Sequence, residues 1–83
     1  MSFRDEVITL LCDTAVSIFG CARSTLGRDT CFEEDLHCKS TDIVKFTVAL
    51  EDAYEVEVPF MAFKRNKTFD DAAEYMCDVT GYE

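Results

Sequence analysis

The side chains of this sequence that could do chemistry are five cysteines (Cys12, Cys21, Cys31, Cys38 and Cys77), one histidine (His37), and the serine and carboxylates around residue 40. An odd number of cysteines, with no secretion leader ahead of them, argues against a disulfide framework. No two are spaced as C-x-x-C, so the usual zinc pattern is missing. Cys31, His37 and Cys38 could supply three soft ligands, but at that spacing they fall on an irregular loop, and no metal site is expected. Free cysteine otherwise behaves as a small hydrophobe, the role expected of Cys12 and Cys77 inside helical patterns. His37 and Cys38 are adjacent and point apart, whereas a nucleophile needs its base within hydrogen-bond reach. There is no Gly-x-Ser-x-Gly elbow and no Gly-rich phosphate loop. Glu33, Glu34 and Asp35 read as a solvated acidic face, so no catalytic residue is expected. What remains is Ser40, which opens a helical pattern. A hydroxyl there stands at the mouth of a loop, and a helix N-terminus favours an anion attached to it. Its plainer role is a helix N-cap worth ~1 kcal/mol. Caps are common, so on this residue alone the capping role is the expected one.

The elements that must position these groups follow from periodicity. Val7, Ile8, Leu11, Ala15, Ile18 and Phe19 repeat at the helical period and predict a first helix over 3–19, capped by Ser2 and stopped by Gly20. Residues 20 to 39 have no sustained period and read as a long loop with Leu26, Phe32 and Leu36 as apolar anchors. Loops of this length are often functional. The anchors imply that it packs across the helices. A second helix is expected over 40–54, with Ile43, Phe46, Thr47, Leu50 and Tyr54 on one face and Val44, Val48 and Ala49 widening it. Residues 55 to 59 alternate by two, but with no second strand they read as an extended connector. Pro59 opens one or two helical turns over 60–65. Thr68 caps a last helix, with Asp71 three residues on, Phe69, Ala72, Ala73 and Met76 facing inward, and an end near Gly81. The expected fold is all-α: a small antiparallel four-helix bundle of three main helices and one short one, with a long first loop, forming one domain over 1–83.

Charge narrows the partners. The chain has 83 residues, 17 acidic against 8 basic side chains, and a formal charge of −9. That balance makes phosphate a poor ligand and argues against nucleic-acid binding. At 48% hydrophobic and 30% charged, the composition is globular, not disordered. No apolar run approaches the ~20 residues that span a bilayer, and the acidic start lacks a signal peptide's apolar region. The cytoplasm is the expected compartment. The charge is also uneven: residues 33 to 58 hold eight acids against Lys39 and Lys45, while residues 59 to 67 hold no acid and three bases, Lys64, Arg65 and Lys67.

The ordered set Phe32, Asp35, Leu36, Ser40, Val44, Ala49, Leu50, Glu51, Tyr54, Val56, Glu57, Val58 and Pro59 resembles the acyl carrier protein family. In that family a Phe-x-x-Asp-Leu-Gly loop end leads to Asp-Ser-Leu, a helix ending Ala-Leu-Glu-Glu-x-Phe, and an Ile-Glu-Ile-Pro connector. The similarity runs without a gap to Thr68, Phe69, Ala72, Tyr75 and Met76, covering roughly residues 3 to 78. It implies a carrier, not an enzyme, with 4′-phosphopantetheine on Ser40 through a phosphodiester and acyl cargo held as a thioester. It implies a phosphopantetheinyl transferase and acyl-transferring or acyl-modifying enzymes with basic docking surfaces as partners, in fatty-acid, polyketide or related biosynthesis. No membrane insertion is implied, and a monomer is expected.

Lys39, Thr41, Asp42, Lys45, Glu51 and Asp52 would form the partner-reading face, with Lys64 and Arg65 (beside Lys67) as a second docking patch. Phe32, Leu36, Phe46, Leu50, Val56, Val58 and Phe69 would form core and acyl-pocket wall. The chain departs from the pattern where Lys39 replaces the Asp before the serine, Thr41 the Leu after it, and His37-Cys38 a Gly-Leu or Gly-Met. Two other readings share these residues: a peptidyl or aminoacyl carrier, and an unmodified helical module docking basic partners through its acidic face.

Overall fold

Helices form in this chain where an apolar period coincides with a means of closing the ends. A computed structural model describes residues 2–82. It contains α1 (Phe3–Phe19), α2 (Ser40–Tyr54), α3 (Phe60–Phe63) and α4 (Phe69–Thr80), with a short 3₁₀ turn at Arg23–Thr25 that periodicity does not reveal. Ser2 caps α1 by accepting the Asp5 N–H at 3.2 Å, and hydrogen bonding of the Asp5 carboxyl to the Ser2 side chain, more than the nearby Arg28 charge, holds that carboxyl below its usual range. Gly20 closes the helix in the left-handed region at φ 67°. Thr68 and Asp71 form a reciprocal capping box at the start of α4, with bonds of 3.1 and 3.3 Å. Pro59 sits at the N-cap of α3, which ends at Phe63, two residues sooner than expected.

α1 packs on α4 and α2, and α3 packs on α2. Val7, Leu11, Cys12 and Ala15 meet Phe46 and Leu50 from α2, Phe63 from α3, and Phe69, Ala72, Ala73 and Met76 from α4 in one buried cluster. Val58, from the connector, joins them. Its N–H donates to Glu51 Oε2 at 2.9 Å, which ties the connector back to α2. The alternating segment forms no strand among the described residues; the one isolated bridge joins Cys31 to Thr68. Val44 and Val48, expected to widen the inner face of α2, are 43% and 46% exposed. The geometry explains the correction: at about 100° per residue, position 44 lies roughly 200° from Phe46 and so faces outward.

The long loop is fastened at its middle. Phe32 is buried and its ring centroid lies 5.1, 5.6 and 4.9 Å from those of Phe46, Phe63 and Phe69. Around it the backbone runs against the start of α4: Phe32 N–H donates to Lys67 C=O, Phe69 N–H to Thr30 C=O, and Asp70 N–H to Arg28 C=O, each at 3.0 Å. Arg28 also pairs with Asp5 and with Asp70, and Arg4 reaches Asp70 at 3.5 Å. Residues 32 to 36 form a run of turns that ends at His37, which adopts φ 52° while its N–H donates to Glu33 C=O at 3.0 Å. Leu26 and Leu36 pack against the core only in part.

Candidate functional site

α2 starts one residue earlier than a serine cap would have it. Lys39 holds the extended N-cap position, φ −95° and ψ 172°, and Ser40 is the first helical residue. A lysine side chain has no acceptor to offer, so the cap is closed from the other side: Asp42 Oδ2 accepts the Lys39 N–H at 2.9 Å. Lys39 C=O accepts the N–H groups of Asp42 and Ile43 at 3.0 Å each. This leaves Ser40 exposed, with no hydrogen bond to its hydroxyl among the described residues. The N–H groups of Ser40 and Thr41 also lack a protein acceptor there, as expected of the first donors of a helix. A cap serine has its hydroxyl engaged by the helix; the Ser40 hydroxyl is not so engaged among the described residues.

Ser40 opens on a groove of about 730 Å³. Four segments build it: the Cys31–Glu34 turn, the approach and first turn of α2 with Cys38, Lys39 and Ile43, then Phe60 and Lys64 from α3, and finally Asn66, Lys67 and Thr68. The fastening of Phe32 to Lys67 and of Phe69 to Thr30 holds the first and last of these together. Phe32, Ile43 and Phe60 give the groove an apolar part; Lys39, Lys64, Lys67, Glu33 and Glu34 give it charge. Lys64 Nζ stands 5.8 Å from the Phe60 ring centroid, within cation–π reach.

Both cysteines of the groove are held as neutral thiols. Burial, with the nearby Asp42 charge, pushes Cys38 up to about 12. Desolvation, then the carboxylates of Asp35, Glu34, Asp29 and Asp71, pushes Cys31 upward as well. The thiolate is the nucleophile and the metal ligand, so neither thiol is prepared for either task. Among the described residues no three His, Cys, Asp or Glu side chains gather closely enough to hold a metal ion.

The remaining sequence-predicted residues divide by environment. Thr41, Lys45, Asp52, Lys64 and Arg65 are exposed, while Asp42 and Glu51 are half-buried and bonded to the Lys39 and Val58 backbone. Of the seven residues named for the acyl-pocket wall, Phe32 lines the groove. Phe46, Leu50, Val58 and Phe69 lie in the core, and Leu36 and Val56 at its edge. Sequence reasoning missed the outward-facing apolar pair Val44 and Val48; Met61 in α3 is exposed as well, at 61%. The four-residue spacing of the two valines, opposite Phe46 and Leu50, was the available signal.

Fold and site together define a small helical bundle that presents a free serine at the start of its second long helix. No family model matches the chain. It is similar to an acyl carrier protein of Acidothermus cellulolyticus, 29% identical over 77 residues, which covers 93% of this chain and 92% of the relative. Acyl carrier proteins of Rubrobacter xylanophilus (25% identical, 90% and 93% covered) and Lactobacillus acidophilus (29% identical, 88% and 91% covered) align along nearly the same length. The chain is thus similar to acyl carrier proteins along nearly its whole length.

Proposed function

We propose that this chain is a discrete acyl carrier, a single domain acting in the cytoplasm as a monomer, whose attachment point is Ser40. The observation that carries the reading is an exposed serine at the first position of α2 whose hydroxyl is free, opening on a groove. The residues fit 4′-phosphopantetheine. The hydroxyl can exchange its proton for a phosphodiester bond without breaking a helix cap, because Lys39 and Asp42 make that cap. A phosphate there faces the two free N–H groups of Ser40 and Thr41, the favoured place for an anion. The group, once attached, supplies a thiol that holds an acyl chain as a thioester.

The protein's own part is presentation and recognition. Asp52 and Lys45 on the outer surface of α2, with Thr41 beside the serine, are exposed for a partner to read. Val44, Val48 and Met61 supply apolar contact among them. The partners are a phosphopantetheinyl transferase and acyl-transferring or acyl-modifying enzymes that bring basic surfaces to the acidic face. The chain itself catalyses nothing. Intact mass after co-expression with a broad-specificity phosphopantetheinyl transferase tests the reading. Wild type should gain one phosphopantetheine and Ser40→Ala none. No gain in wild type counts against a carrier and favours an unmodified docking module, which Lys39 and Thr41, at positions a transferase would read, make the specific competitor.

A further inference from the structure

We propose that the groove beside Ser40 seats the near half of the prosthetic arm, with the phosphodiester anion held by Lys39, Lys64 and Lys67. The inference rests on the carrier reading and adds a binding site to it.

The charge placement is the first argument. In a chain of net charge −9, three lysines from three separate segments line the groove that contains Ser40. Among the described residues the ion pairs are made by Arg4, Arg23 and Arg28, so these lysines have no carboxylate partner. Glu33 and Glu34 share the groove, which leaves bases exceeding acids by one.

The second argument is the match along the arm. Next to its phosphate the arm carries two geminal methyl groups, then a hydroxyl and amide N–H donors. The groove offers Phe32, Ile43 and Phe60 for the methyls, and the Glu33, Glu34 and Asn66 oxygens for the donors. Its volume, about 730 Å³, lies within the ~300–1,000 Å³ typical of sites for molecules of this size. Phe32 cannot withdraw from the wall without leaving the aromatic cluster, so this side of the groove is formed before anything enters.

The test uses the loaded protein carrying an arm ¹³C-labelled at its geminal methyls, with loading verified by intact mass. Magnetisation transfer is expected from those methyls to Ile43 or to the rings of Phe32 and Phe60. In the double variant K64Q/K67Q, loaded to the same extent and with an unchanged spectrum before loading, the transfer should fall by more than half. Salt at about 0.5 M should weaken it in wild type, since the ammonium groups are solvent-exposed. Full loading with no transfer to the groove, or transfer to Val44 and Val48 instead, overturns the groove assignment and leaves Ser40 standing as the attachment point. Transfer unchanged in K64Q/K67Q overturns the role of the lysines. No mass gain at all overturns the Ser40 reading, and the groove assignment falls with it.

Discussion

The α1–α4 side of the molecule and the α2–α3 side follow opposite rules. On the first, both helix starts have side-chain caps from Ser2 and Thr68, both ends have a left-handed glycine, and Arg4 and Arg28 are paired with Asp5 and Asp70. On the second, α2 has half a cap, the left-handed positions fall on His37 and Glu55, Lys39, Lys64 and Lys67 have no ion pair among the described residues, and Val44, Val48 and Met61 face water. Local rules are obeyed where the fold is held and relaxed around Ser40, the pattern expected when one face is kept for binding. Surface ion pairs contribute only ~0–1 kcal/mol each, so caps and packing carry the stable side.

The sharpest test of the contrast is Phe32, where the two sides meet. Phe32→Ala should cost ~3–5 kcal/mol, a large part of the ~5–15 kcal/mol typical of a domain, whereas Met61→Ala should stay within ~0.5 kcal/mol. Urea unfolding of both variants decides it, and similar losses would erase the distinction. Next come the two helix starts. Thr68→Ala should lose ~1 kcal/mol as a cap deletion. Ser40→Ala should lose under ~0.5 kcal/mol as an exposed change away from any such feature. A loss at Ser40 equal to that at Thr68 would return the serine to a capping role. Smallest is His37→Gly, expected to raise stability by ~0.5 kcal/mol, because the left-handed region strains an L-residue by ~1–2 kcal/mol and glycine's unfolded-state freedom offsets part of that. A decrease in melting temperature would show that the His37 side chain contributes packing of its own.

The long helices were legible residue by residue. Ser2 with Gly20, and Thr68 with Asp71 and Gly81, are local signals, and local signals survive in a linear reading. What was not legible came from the third dimension. Nothing near Phe32 in sequence says that it will meet Phe46, Phe63 and Phe69, or that Arg28 and Thr30 will bind the backbone of residues 69 and 70. Lys39 gave no sign of being an N-cap, since that position usually goes to a side-chain acceptor; here the acceptor comes from Asp42. Ser40 itself was legible as a candidate through its neighbours. The groove beside it was not, because its walls come from segments spread between residues 31 and 68.

Phe32 belongs at once to the groove wall and to the centre of the core. Occupancy of the groove is therefore linked to the global folding equilibrium: a molecule that binds only the native wall shifts that equilibrium by mass action. For a covalently held occupant the relevant concentration is set by its tether, independent of how much is present in the cell. Such an occupant would act as a permanent internal ligand, making the loaded protein harder to unfold than the bare one.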